Sequence, residues 1–412
     1  MKNYSKLTPE GVRDVLFDQC RAQREAQRRL TAIFTRRGYR EVITPGLEYY
    51  DVFSLPGAAI PQQEMYKTID GGGRLLVFRP DSTLPIARMA AVRLQGLRRP
   101  IRLYYSQSVY RTWPELSGRS HELPQMGVEL LGASGLKADL EVIGAAIEAL
   151  KAVAGDYRIE LGHAGLFRHL VERLGLSPEA REEIRATIET KNYGALGGLL
   201  DPLGDSTEAK ALRRLPRLFG GEEVLSEAES WNLDGGAAKA LGYLRTLYTA
   251  LQEMGLGQRL MVDLGLVQRN DYYTGVVFSG YVQGRGGPVL TGGRYDGLCA
   301  LFGPEMPAMG FAMDMDAAAG LLEPHMSREN GVQVLVHGEP GFEPQAQQEL
   351  LRRTTEGQIC EGSVWETLTE ALEYARAGGI PTVALVGETV KTIDVEEVKD
   401  EAAANCTDKG QA

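Results

Sequence analysis

The chain has 412 residues, 43% apolar and 24% charged, with a net charge of −10 and an isoelectric point near 5.3. That length supports roughly two or three domains at ~150 residues each, and a core of this size needs no disulfide or metal to hold it. An acidic surface disfavours nucleic acid unless a basic patch is segregated on one face, and the pairs Arg36-Arg37 and Arg98-Arg99 read as solvated helix or loop arginines. Cys20, Cys299, Cys360 and Cys406 stand singly without a CxxC pair, which disfavours a zinc or dithiol site and fits reduced thiols. No metal and no cofactor is expected. The opening MKNYSKLTPEGVRD lacks the apolar region of a signal peptide. No apolar run approaches the ~20 residues of a membrane span, so the expected location is the cytoplasm.

In chain order, residues 18–37 read as an amphipathic helix, with Leu30, Ile33 and Phe34 on one face and Gly38 placed to end it. Tyr39–Thr44 reads as a strand stopped by Pro45, and Arg74–Phe78, Ile101–Tyr110 and Gln125–Leu131 are strand-like. Strands that follow one another without an intervening helix predict a largely antiparallel sheet. Ala138–Val153 has helical spacing at Leu140, Ile143, Ile147 and Leu150. Residues 165–255 change character: Leu166–Leu174, Pro178–Glu189 and Ala237–Met254 predict a helical insertion. Strands resume at Leu260–Asp263 and Asp271–Phe278. A boundary falls after residue 325, near His325 to Gly331. Beyond it Val332–His337, Pro344–Thr355, Ser363–Ala377 and Thr382–Val386 predict a small β-α-α-β domain over 331–395, followed by a polar tail, 396–412.

Alternate residues on a strand share a face. Gln125, Gly127 and Glu129 therefore oppose Met126, Val128 and Leu130, which belong to a core. Arg111 shares a face with Tyr105, Gln107 and Val109; Asp271, Tyr273 and Gly275 oppose Tyr272 and Thr274. A carboxylate, an arginine, an amide and a tyrosine could thus converge on one cleft, as in sites that bind small ligands. Each signal also has an ordinary explanation. Glu129 could be solvated, Gly293-Arg294-Tyr295-Asp296-Gly297 could be a turn with a structural arginine, and Asp81 or Ser82 could simply cap a helix. Spacing alone does not identify the ligand.

Certain stretches carry a resemblance: Leu7–Asp14, Gly38-Tyr39 through Pro45, Phe78–Thr83, Tyr110-Arg111 with Gln125–Glu129, Val267–Gly275 and Thr291–Leu298. In order and sequence they resemble the motifs of histidyl-tRNA synthetases. The resemblance implies an α+β fold: a class II synthetase-like antiparallel core over 1–325 with a helical insertion, plus a small C-terminal α/β domain resembling a shortened anticodon-binding domain. It also implies a histidine pocket. Arg111 would pair with the ligand carboxylate, Asp81, Thr83 and Gln125 would take its ammonium group, and Glu129 and Tyr273 would bond the imidazole, with Tyr295 nearby. Asp81 is one methylene shorter than the glutamate of that family.

The departures decide the function that the resemblance implies. Gln268 stands where the synthetases carry a catalytic arginine, with Arg269 adjacent. Trp113 stands where the second class motif carries a glutamate, and Ala317 stands where the third ends in an arginine, with Asp314 and Asp316 beside it. Adenylate formation depends on positioned positive charge around phosphates, so no useful histidine activation and no catalytic residue is expected. The C-terminal segment, with Glu396, Glu397, Asp400 and Glu401, is not basic, which argues against tRNA. A kept pocket beside lost activation chemistry is similar to the ATP phosphoribosyltransferase regulatory subunits. Membership implies a short catalytic partner subunit, L-histidine as effector, and a homodimer within a hetero-oligomer. The alternatives are a divergent histidyl-tRNA synthetase or another synthetase paralogue.

Overall fold

The computed structural model describes residues 4–58, 60–114, 117–267, 272–325 and 331–397, and the chain divides after His325 into two compact units. In the first unit, Phe17–Arg36 is helical because Ala22, Ala26, Leu30 and Phe34 recur every four residues, giving one continuous buried stripe. The Phe34 ring lies 5.9 Å from both Tyr104 and Phe311 of the sheet. The helix stops at Gly38, whose φ of +80° is costly for any residue with a Cβ.

The central sheet has nine strands in the order Arg40–Glu41, Ile101–Tyr110, Glu122–Leu131, Ala308–Asp314, Leu290–Arg294, Val276–Val282, Tyr157–His163, Leu260–Asp263, Phe219–Gly220. Its ladders are antiparallel except at Arg40–Glu41 with Ile101–Tyr110 and at Tyr157–His163 with Leu260–Asp263. Helices Phe17–Arg36, Leu136–Val153 and Met315–Leu322 pack together over the face formed by Met126, Val128, Leu130 and Phe311. Leu131, Tyr105 and Leu103 face the other way, into a second core with helix Thr83–Arg93. A smaller antiparallel sheet, Leu47–Tyr49, Leu75–Phe78 and Lys67–Ile69, stands beside them.

The Tyr39–Thr44 strand is shorter than expected, because after Glu41 the chain is diverted. Thr44 and Pro45 turn their carbonyls to the buried Arg79 guanidinium (2.7 and 2.8 Å) rather than to a ladder. The expected strand at Asp271–Phe278 begins only at Val276. Thr274 N and Gly275 N both donate to the Arg294 carbonyl (2.7 and 3.4 Å), and two donors on one acceptor cannot continue the alternating ladder. Asp271 itself lies outside the described residues.

Between Tyr157–His163 and Leu260–Asp263 the chain forms six α-helices: Ala164–Arg173, Pro178–Glu189, Tyr193–Leu200, Thr207–Arg214, Glu222–Glu229 and Gly235–Leu251. Three starts are fixed by side chains visible in the sequence. Ser177, Asn192 and Ser206 accept hydrogen bonds from the amides of Ala180, Ala195 and Ala209. Among the described residues no helix is long and apolar enough to cross a membrane.

The second unit is a four-stranded sheet, ordered Cys360–Gly362, Val334–Gly338, Thr382–Val386, Val390–Asp394. The first three strands are parallel and the last antiparallel. Helices Glu343–Thr355 and Leu368–Ala377 cover it. Two short polar strands, Cys360–Gly362 and Val390–Asp394, escape the sequence reading. The second helix starts later than Ser363, because Thr367 and Glu370 form a reciprocal capping box there.

Candidate functional site

The site grows from one buried carboxyl. Glu129 lies on the Glu122–Leu131 strand, opposite Gly310 of the neighbouring strand, and is 1% exposed. Any side chain at Gly310 would collide with the Glu129 carboxyl and the Val128 carbonyl, so the glycine leaves the space that the carboxyl fills. Gly127, two residues earlier, leaves room in the same way for the Tyr105 hydroxyl. Glu129 Oε1 accepts a hydrogen bond from Thr83 Oγ1 at 2.9 Å, and Oε2 accepts one from the Tyr295 hydroxyl. No cation lies within ion-pair distance of it among the described residues. Burial therefore dominates and, with Asp81 nearby, pushes the Glu129 carboxyl up to about 8, against the two hydrogen bonds that favour the ionised form.

Thr83 opens helix Thr83–Arg93, so the helix start positions it against Glu129. Asp81 supplies the cap: its Oδ1 accepts from Leu84 N at 2.9 Å, and its Oδ2 is 3.4 Å from the donating Tyr272 hydroxyl. Desolvation raises the Asp81 carboxyl above its ordinary range, against its hydrogen bonds and the nearby Arg111. Ser82, although at the helix start, makes no capping bond. Its buried Oγ has no hydrogen-bond partner among the described residues.

These residues surround a cavity of about 250 Å³. Asp81, Thr83, Arg111, Gln125, Tyr273 and Tyr295 line it, and Glu129 stands behind the wall, joined to it through Thr83 and Tyr295. Each of the seven sequence-selected residues is thus in or against one space. Arg111 is held by the Pro80 carbonyl (Nε, 2.9 Å) and by Glu64 (Nη1, 3.3 Å). Glu64, Ser82, Tyr105 and Tyr272 were not selected from the sequence, yet all touch this site or its arginine. Tyr272 and Tyr273 were expected on opposite faces. Because their segment is not a strand, both rings line the cavity, 4.9 Å apart.

The substituted positions fall in different places. Trp113 forms part of the cavity wall; its Nε1 donates to the Ser120 carbonyl at 3.1 Å and the Arg119 guanidinium sits 4.7 Å over its ring. Ala317 does not line the cavity. It lies in the first turn of Met315–Leu322, where its amide donates to Asp314 Oδ1 at 3.0 Å and its carbonyl accepts from Arg285. Asp314 is that helix's cap, and Asp316 pairs with Arg13 at 3.2 Å, so both carboxylates have local work. Gln268 and Arg269 lie outside the described residues. Among the described residues, no three His, Cys, Asp or Glu side chains are grouped to hold a metal ion.

Arg294, one residue before Tyr295, points the other way. Its Nε donates to Asp139 at 2.8 Å and its Nη1 to Asp296 at 2.8 Å and to the Ala133 carbonyl at 3.2 Å. Tyr243 also donates to Asp139. The structural reading of this arginine holds.

A sheet with this order, a threonine opening a helix that an aspartate caps, and a buried strand glutamate define a histidyl-tRNA synthetase-like protein. Residues 11–318 match the histidyl-tRNA synthetase family model. A solved ATP phosphoribosyltransferase regulatory subunit/histidyl-tRNA synthetase from Bacillus halodurans is similar with a TM-score of 0.79 and 29% identity, covering 93% of this chain and 99% of that one. A histidyl-tRNA synthetase from Nostoc sp. shares the fold at a TM-score of 0.73 and 19% identity, over 97% of this chain and 99% of that one. Among curated relatives, the ATP phosphoribosyltransferase regulatory subunit of Clostridium kluyveri is 39% identical over 92% of this chain and 98% of its own length. That of Clostridium acetobutylicum is 37% identical over 96% of this chain and 98% of its own. The chain belongs to the family of ATP phosphoribosyltransferase regulatory subunits.

Proposed function

We propose that this chain is a non-catalytic subunit that joins a short ATP phosphoribosyltransferase catalytic subunit, activates it, and makes it sensitive to L-histidine at the first step of histidine biosynthesis. The observation that carries this reading is the Glu129 carboxyl, buried without a cation beside an amino-acid-sized cavity. An imidazole contributes what the carboxyl lacks. Between the ordinary imidazole value of ~6.5 and about 8, the carboxyl holds a proton and the free ring does not, so the pair shares one proton without net uptake or release.

In the proposed complex, Arg111 faces the ligand carboxylate and exchanges part of its bond to Glu64 for it. Asp81, Thr83 and Gln125 take the ammonium group, with the unpartnered Ser82 hydroxyl beside them. Glu129 bonds the ring, flanked by Tyr273 and Tyr295. Aminoacylation and tRNA binding are absent from this reading, because an indole at 113 and a methyl group at 317 bring no charge to bound phosphates. The assembly is a homodimer within a hetero-oligomer. Feedback then requires histidine to favour the inhibited state of the complex, by typically ~1–3 kcal/mol of coupling.

Calorimetric titration of the purified chain with L-histidine tests the pocket. Glu129→Ala should weaken binding roughly 10- to 100-fold, the cost of leaving buried partners unsatisfied at ~1–3 kcal/mol. Unchanged affinity would exclude this cavity as the histidine site.

A further inference from the structure

A second cavity, of about 550 Å³, lies next to the first, between the rim of the central sheet and the first two helices of the insertion. It shares Arg111, Tyr272 and Tyr273 with the inner cavity and nothing proposed so far occupies it. Its volume lies within the range of small-molecule sites, ~300–1,000 Å³.

The charges on its wall do not cancel. Four guanidinium groups, Arg111, Arg168, Arg181 and Arg185, face three carboxylates on this wall, an excess of one positive charge. Glu64 pairs with Arg111 at 3.3 Å, Glu182 with Arg185 at 2.7 Å, and Glu172 lies 3.3 Å from the His169 ring. The remaining two lining guanidinium groups, Arg168 and Arg181, pair with no carboxylate among the described residues. Arg168 donates to the Tyr273 carbonyl and Arg181 Nε to the Leu176 carbonyl at 2.9 Å. A carbonyl leaves the positive charge uncompensated, and a guanidinium fork fits the paired oxygens of a phosphate. Phe167 and Tyr273 add ring surface on which a flat group can stack.

We propose that this outer cavity binds a phosphorylated small molecule carrying a planar ring, of mononucleotide class, with its phosphate between Arg168 and Arg181. Because Arg168 also holds the Tyr273 carbonyl, an anion that recruits it acts on the segment carrying two walls of the inner cavity. Occupancy of the two cavities is therefore linked, and by thermodynamic necessity each ligand changes the other's affinity by the same factor.

Calorimetry on the full chain with AMP, ribose 5-phosphate and adenosine as separate probes tests this. AMP is expected to bind saturably, ribose 5-phosphate more weakly, and adenosine not at all. Arg181→Glu should lower AMP affinity at least ~10-fold, since a charge-assisted bond contributes about 1.5–3 kcal/mol. Arg181 lies on the outer cavity only, so this variant should still bind L-histidine; that titration in the same sample reports folding and keeps this test separate from the histidine reading. Arg168→Lys, which keeps charge but loses the fork, should fall between. Saturable binding of neither AMP nor ribose 5-phosphate, or AMP affinity unmoved by both substitutions, would overturn the proposal.

Discussion

Arg294 and Tyr295 are adjacent and equally buried, at 6% and 2% exposure, yet they serve two different clusters. On the Arg294 side every charge has a permanent protein partner: the guanidinium spans Asp139 and Asp296, and Tyr243 completes Asp139. On the Tyr295 side the carboxyl of Glu129 has two hydroxyl donors, no cation, and a cavity beside it. Burying a charge is costly unless it is compensated. A compensated cluster is therefore framework, and an uncompensated one holds its proton until something enters. One position separates the two roles: Arg294 ends its strand, and Tyr295, the next residue, turns to the cavity.

The largest expected effect lies on the framework side. Arg294→Met leaves Asp139 buried and unpaired and should lower stability by about 3–5 kcal/mol, read from urea denaturation. Loss of less than ~1 kcal/mol would mean that this network is not the framework the comparison makes it. On the cavity side, Glu129→Ala should lower stability less, by about 1–3 kcal/mol for the Thr83 and Tyr295 hydroxyls it leaves without their acceptor, while histidine affinity falls 10- to 100-fold, as above.

Proton sharing sharpens the contrast through pH. Below ~6.5 both ring and carboxyl are protonated and one proton must leave; above about 8 neither is, and one must be taken up. Histidine affinity should therefore form a plateau between these values and decline toward roughly tenfold per pH unit on either side. A monotonic profile from pH 5.5 to 9 would show that Glu129 and the ring do not share the proton. Smallest is Ser82→Ala, which removes a hydroxyl that has no protein partner. It should leave stability unchanged within about 0.5 kcal/mol and reduce histidine affinity by a few fold, the net contribution of one hydrogen bond of ~0.5–1.5 kcal/mol. An affinity identical to the parent's would take Ser82 out of the site.

Much of this was legible in the sequence, for stated physical reasons. Strand parity separated Met126, Val128 and Leu130 from Gln125 and Glu129, and the two sets do face different sides of the sheet. Gly38 announced the end of the first helix, and the spacing within Pro178–Glu189 announced a helix there. What parity could not supply was the conformation of Tyr272–Gly275, where two amides converge on the Arg294 carbonyl and both tyrosines turn to one cavity. Glu64 was illegible for another reason: it reaches Arg111 across 47 positions of chain, and no local pattern marks such a pairing. The outer cavity was hidden likewise, because Arg168 and Arg181 sit on helices whose solvated arginines look the same in sequence.

The most direct test of the central claim is phosphoribosyl-ATP formation by the short catalytic subunit, measured with and without this chain across a titration of L-histidine. The account predicts that adding the chain raises the rate and that histidine then suppresses it, with Glu129→Ala retaining the activation but losing the suppression. A rate indifferent to this chain at every ratio would contradict the regulatory role. Suppression that survives Glu129→Ala would place the histidine outside this cavity.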